Sequence, residues 1–352
     1  MGGKIMKKSL KIFALIMALC MLAGCGETSV VDSTSDVTEK TVPTYIDESE
    51  DQETQVTYPE MEGSLLKFKF YAFPDIADWG DCTYIEFPNG QNMMIDCGMP
   101  SAATYIVEDL LDSGIDHLDY VIITHSHADH AKGLSNVLAN IKVDKAYTSG
   151  YWCTNFEWVE RDLGSLGVEI EHICQGSSFD VGEVHFDVLW PTPEYIAEQP
   201  GVAAEGTDGP GGTVNINGSS LNLMITYGSK KILMTGDTYK QFQDEIIATY
   251  GDELDADFLK IPHHGYDNAA NRDFIEIVSP EYAFSMGTHT MTAKLYNWYT
   301  ATGCTAYLDW MNGNCYMVTN GEEMAVAVDD PTILDYYQSG IIDETESDDP
   351  EG

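Results

Sequence analysis

Basic residues are scarce. Lys and Arg number 17 in a chain of 352, against 58 Asp and Glu, for a formal charge of −41. A surface of that sign repels polyanions at long range. Binding of free nucleic acid draws on Lys and Arg against phosphates, so nucleic acid is disfavoured as a partner. A membrane-spanning run is also missing: the apolar stretch Ile12 to Leu22 is short of the ~20 residues that cross a bilayer. No internal repeat is found. Of the 8 cysteines, Cys20 falls in the leader and Cys25 at its end, which leaves up to six others in a mature chain.

What is present first is an export signal. Lys4, Lys7, Lys8 and Lys11 precede the apolar run, with Met6 as an alternative start. Leu22-Ala23-Gly24-Cys25 resembles the bacterial lipobox. That resemblance implies removal of residues 1–24, lipid on the Cys25 thiol, and tethering at the outer face of the cell membrane. Residues 25–62 are an acidic linker with too little apolar surface to fold, and 332–352 an acidic tail of the same kind. Between them, over 63–331, strand and helix patterns alternate and hairpins intervene, which predicts one layered α/β domain. Asn89-Gly90 marks a hairpin between Thr83–Phe87 and Met93–Asp96. Counting outward from it sets Cys82 opposite Cys97, either cross-linked or as two buried thiols.

The densest chemistry is Thr124-His125-Ser126-His127-Ala128-Asp129-His130, directly after the apolar Val121-Ile122-Ile123. Imidazole and carboxylate are the ligand set of open zinc sites. Residues two apart on an extended segment point the same way, so His125 and His127 can grip one ion. Asp129 and His130 follow at the turn and reach a second. Leu233-Met234-Thr235-Gly236-Asp237 ends another strand in a carboxylate, and two neighbouring cations need an anion between them. Ile95-Asp96 ends a third. Lys260-Ile261-Pro262-His263-His264-Gly265 supplies the last imidazole. Adjacent His residues project to opposite sides, so one of them binds metal; His263 is favoured, with His264 beside the substrate.

These motifs resemble the metallo-β-lactamase fold superfamily of binuclear metallohydrolases. Gly80-Asp81, Asp96-Cys97-Gly98, the His loop, Asn217-Gly218-Ser219-Ser220-Leu221, Thr235-Gly236-Asp237 and His263-His264-Gly265 run in the order of ComEC-type competence proteins and phosphorylcholine esterases. The resemblance implies an αββα sandwich with its metals at the sheet edges. It implies a metal set of His125, His127, Asp129, His130, Asp237 and His263, with Asp237 bridging two divalent ions, zinc or manganese. Asp129, Asp237 and His264 become the catalytic residues. Asp96 orients the His loop from behind, Asp81 lies near the site, and Asn217 and Ser220 either lie near it as well or form a strand entry. His289 either borders it or is an ordinary loop histidine.

Some positions depart from that pattern. The common Asp-His-Ile-Gly-Gly reads Asp129-His130-Ala131-Lys132-Gly133, Tyr266 replaces a frequent Ser, and the stretch from Asp75 to Asp81 is one residue longer. β-Lactamases and thiolesterases supply another His between the His loop and the bridging aspartate. Only His172 and His185 lie there, in strand-like segments, and both read as structural. A further ligand from Asn217, His172 or His185 stays open. Oxygen-reducing relatives carry Glu where this chain has His127, which argues against a di-iron redox site.

The expected activity is hydrolysis of a phosphoester, of phosphodiesterase type, by a hydroxide shared between two divalent ions. Its substrate is a small-molecule or cell-envelope phosphoester. The alternatives are a non-catalytic, metal-containing envelope lipoprotein and a ComEC-like extracellular nuclease. Tyr151, Trp152, Phe156 and Trp158 offer either a cation–π box for a choline-like group or ordinary packing.

Overall fold

The computed structural model describes residues 57–73, 79–153, 156–198, 213–287 and 291–332. Cys25, the leader, most of the linker, the tail past 332 and His289 lie outside the described residues. So does most of the Gly-rich stretch before Asn217.

Three apolar clusters set the architecture. The chain first lays down β1 (Leu66–Phe70), β2 (Thr83–Glu86), β3 (Asn92–Ile95), β4 (His117–Ile123), β5 (Lys142–Thr148) and β6 (Glu169–His172). It then builds β7 (Ser178–Val181), β8 (Val184–Trp190), β9 (Asn222–Tyr227), β10 (Lys230–Met234), β11 (Phe258–Lys260), β12 (Tyr282–Ser285) and β13 (Thr305–Leu308). It returns with β14 (Cys315–Thr319) and β15 (Met324–Val328). One sheet has the order β15-β14-β1-β2-β3-β4-β5-β6, the other β13-β12-β11-β10-β9-β8-β7.

Period-two alternation decides which side each residue serves. Leu66, Phe68, Phe70 and Ile122 of one sheet meet Phe186, Leu223, Ile225, Phe258 and Phe284 of the other in a central cluster. Val121 and Ile123, the neighbours of Ile122, face outward. There they pack with Ile106, Val107 and Leu110 of helix α1 (Pro100–Asp112). On the far side, Leu233 and Leu259 pack with Phe242, Ile246, Phe274 and Leu295 from three further helices. The layers are therefore helix, sheet, sheet, helix, the αββα sandwich that the motifs imply.

β3, β4, β5 and β6 run parallel, as do β10, β11, β12 and β13. Parallel sheets collect ligands outside their carboxyl ends, and Asp96, the His loop, Asp237 and the His263-His264 pair lie just past the ends of β3, β4, β10 and β11.

The first hairpin corrects the expected register. Thr83 pairs with Ile95 and Glu86 with Asn92. Phe87 N donates to Gln91 O, and Gly90, at φ +86°, donates to Phe87 O. The loop is thus Pro88-Asn89-Gly90, three residues rather than two, and one residue of slip moves every partner. Continuing the ladder by one step puts Cys82 level with Asp96, not with Cys97. All six described cysteines are free thiols.

The aromatics after β5 pack rather than form a box. Tyr151 and Phe156 are buried in the cluster under helix α1's layer, and Trp152 Nε1 donates to Glu160 at 2.7 Å.

Candidate metal centre

Asp96 follows β3 at φ +58°, buried, and organises the loop after β4. Its Oδ1 accepts from Thr124 N at 2.8 Å, and its Oδ2 accepts from Thr124 Oγ1 at 2.7 Å. With its proton committed there, Thr124 Oγ1 accepts from His125 Nδ1 at 3.1 Å. Asp96 Oδ2 also accepts from His130 Nδ1 at 2.8 Å. His264 Nδ1 donates to the Met286 carbonyl at 2.8 Å. A hydrogen fixed on Nδ1 makes Nε2 the nitrogen that each ring can offer a metal, and the three rings turn their Nε2 atoms the same way.

Those atoms converge on Asp237. The Thr235-Gly236 turn after β10 carries it in, and its backbone N donates to Ser220 Oγ at 3.1 Å. Asp237 Oδ2 lies 3.0 Å from His130 Nε2, 3.1 Å from His264 Nε2 and 3.8 Å from His125 Nε2. His125 Nε2 in turn lies 3.1 Å from His127 Nδ1. One carboxylate oxygen thus faces two imidazole sets.

Two ligand groups result. His125, His127 and Asp237 form one, and a second gathers Asp81, His130, Asp237 and His264. Within the second, Asp81 sits behind the rings: it approaches His264 Nδ1 at 3.2 Å and His130 Nδ1 at 4.0 Å, the nitrogens that carry hydrogen. Asp129 occupies the inner side, its Oδ2 3.0 Å from His264 Nε2 and 3.5 Å from His130 Nε2. Two Nε2 atoms and two carboxylate oxygens, all buried, are the donor set of a borderline divalent cation. His130, His264, Asp129 and Asp237 would hold one ion, and His125, His127 and Asp237 the other.

The histidine pair is reversed from expectation. His264, not His263, reaches Asp237. Pro262–Gly265 is a tight turn with His263 at φ 44° and His264 at φ 53°, so extended-chain alternation does not apply. His263 Nδ1 instead pairs with Asn268 Oδ1 at 2.6 Å, its ring between Tyr239 and Tyr266.

Burial pushes His125 and His127 below the usual range, His127 to about 4, so both are neutral at pH 7. Burial also opposes charge on His130 and His264. Asp237 and the neighbouring carboxylates outweigh it and raise both well above the ordinary value. Asp237 is held well below the carboxylate range, because His130, His264 and Lys260 outweigh its burial.

Asn217 is fully buried, with no hydrogen-bond partner for either side-chain amide atom among the described residues. Its carbonyl accepts from Ser220 N, next to Asp237's anchor. His172 pairs with Glu160, and His185 with Asp180 and Asp187; neither enters a ligand group around Asp237.

The sequence reading missed two residues. Lys260 is buried against Asp81 and Asp237; the signal was a lysine ending the short, wholly buried strand β11. Asp309, directly after β13, accepts from Gly287 N at 2.8 Å and so holds the loop whose Met286 carbonyl fixes His264. Burial lifts its carboxyl to about 8.

Residues 80–289 match the family described as the metallo-beta-lactamase superfamily. The chain belongs to that superfamily. Within it, the chain is 27% identical over 180 residues to ComE operon protein 3 of Bacillus subtilis, covering 51% of this chain and 21% of that protein. It is 25% identical over 205 residues to competence protein ComA of Neisseria gonorrhoeae, covering 58% and 25%. The chain therefore spans a quarter or less of the length of these curated relatives. Among solved structures it is similar to the metallo-beta-lactamase fold protein YhfI of Bacillus subtilis, with TM-score 0.46, 13% identity, and coverage of 70% of this chain and 96% of that one.

Proposed function

We propose that this superfamily member is a phosphoester hydrolase, of phosphodiesterase type, exported and anchored through lipid on Cys25. The single observation behind the catalytic part is Asp237 Oδ2 standing between His125 on one side and His130 with His264 on the other. Two divalent ions bound there would supply Lewis acidity and lower the pKa of water toward neutrality. The protein's own part is orientation. Asp96, Thr124 and Met286 fix the imidazole tautomers, and burial keeps His125 and His127 neutral and ready to ligate.

Preference for phosphorus over a lactam rests on the first ligand group. It has three protein members, since His172 and His185 are engaged elsewhere, which leaves coordination room for a phosphoryl oxygen. A second reading, a ComEC-like nuclease, draws on the likeness to the relative named competence protein ComA, and the charge of −41 opposes it.

The test pairs metal analysis of the purified protein with assays on bis-p-nitrophenyl phosphate, p-nitrophenyl-phosphorylcholine, single-stranded DNA and a chromogenic lactam. Two bound ions with turnover on a phosphodiester support the proposal. Two ions without turnover on any phosphoester overturn it in favour of a binding lipoprotein. Labelling of intact cells with a palmitate analogue tests the anchor: the wild type should carry label and Cys25→Ala none.

A further inference from the structure

Lys260 is the last residue of β11 and only 2% exposed. A buried ammonium demands oxygen partners, and Lys260 has them. Its Nζ meets Asp81 Oδ2 at 2.5 Å, the Gly236 carbonyl at 3.0 Å and Asp237 Oδ1 at 3.5 Å. The carboxylate of Asp237 is thereby divided. Oδ1 faces the ammonium, while Oδ2 faces His130, His264 and His125. The same ammonium holds Asp81, whose other oxygen lies 3.2 Å from His264 Nδ1. One lysine therefore grips the backbone before Asp237, one of its two oxygens, and the carboxylate behind His264.

We infer that Lys260 is a positioning residue that determines which oxygen of Asp237 is offered to both ligand groups, and so enables the pair of them to be filled together. The inference rests on the metal-centre reading given above. It runs against simple electrostatics. A fixed positive charge beside a cation site repels the cation, so a lysine that acts by charge alone weakens metal binding, and its removal should tighten it. A lysine that holds the shared oxygen in place acts in the opposite direction.

The experiment measures zinc affinity of the metal-stripped protein by competition with a chromophoric chelator, one equivalent at a time, in wild type, Lys260→Met and the double variant Asp81→Asn/Lys260→Met. No substrate is present. The expected result for Lys260→Met is a second equivalent weakened about 10- to 100-fold, the range seen when groups behind metal ligands are lost, with the first equivalent changed far less. The double variant removes the ion pair as a unit, leaves no orphan carboxylate at position 81, and guards against simple misfolding. It should keep the loss at the second equivalent, because Asp237 Oδ1 still lacks its partner. Tighter binding in Lys260→Met, unchanged binding, or recovery of wild-type affinity in the double variant overturns the inference. The hydrolase proposal fails by a different signature: a wild type that binds two ions and turns over no phosphoester.

Discussion

At the scale of single residues, Asp96 does the most with the fewest atoms. It steers His130 directly and His125 through the Thr124 hydroxyl, so both ligand groups depend on it. Asp96→Ala should lower zinc affinity about 10- to 100-fold at both equivalents, measured by chelator competition. Asp237→Asn should abolish turnover and leave fewer than two ions per chain by elemental analysis; full activity with full metal content would refute the bridging assignment. The pH behaviour follows from His130 and His264, whose folded values are raised well above 6.5. A raised value contributes stability that is fully present below the unfolded value near 6.5 and is lost as pH climbs through the folded one. Metal-stripped protein should therefore lose thermal stability as pH rises above 7. Zinc should bind more tightly over the same interval, because it must displace those protons. Calorimetric titration in two buffers of different ionisation heat reads the released protons directly.

At the scale of elements, what was legible in the chain and what was not divides along local geometry. The His loop could be read because an apolar strand delivers it and residues two apart share a side. The hairpin of β2 and β3 announced itself by Asn89-Gly90, and β4 by the apolar run Val121-Ile122-Ile123. The pair His263-His264 was misassigned because alternation was applied to a turn with two left-handed residues. Cys82 was set against the wrong partner because a loop of three residues was read as two. Lys260 and Asp309 gave little local signal, since their meaning lies in contacts with residues distant in sequence. Close approach of elements is also written in Gly133, ahead of helix α2 (Leu134–Asn140). A Cβ there would lie 2.2 Å from Cys97 O and 2.7 Å from Gly98 O, both backbone atoms just past β3. Gly133→Ala should destabilise the fold by about 1–3 kcal/mol. That lowers the melting temperature by several degrees, at roughly 2–4 °C per kcal/mol for a domain of this size.

At the scale of the whole molecule, the charge of −41 bears on the proposed phosphodiesterase activity through the field around the protein. An anionic phosphodiester must approach a repelling surface, so its kcat/KM should rise as salt screens that field, over the range where the Debye length falls from ~30 to ~10 Å. A zwitterionic phosphorylcholine ester should respond far less, and the comparison separates steering from any general effect of salt.

The ligands are also shared out between the two halves of the sandwich. His125, His127, Asp129 and His130 follow strand β4 of one sheet, while Asp237 and His264 follow β10 and β11 of the other. Any cation seated among them acts as a rivet through the seam, and melting the protein must first pull that rivet. Free zinc at about a thousand times its dissociation constant should add roughly 4 kcal/mol by mass action. Chelation should take the same amount away, making the two sheets easier to part from the very edge where the chemistry sits.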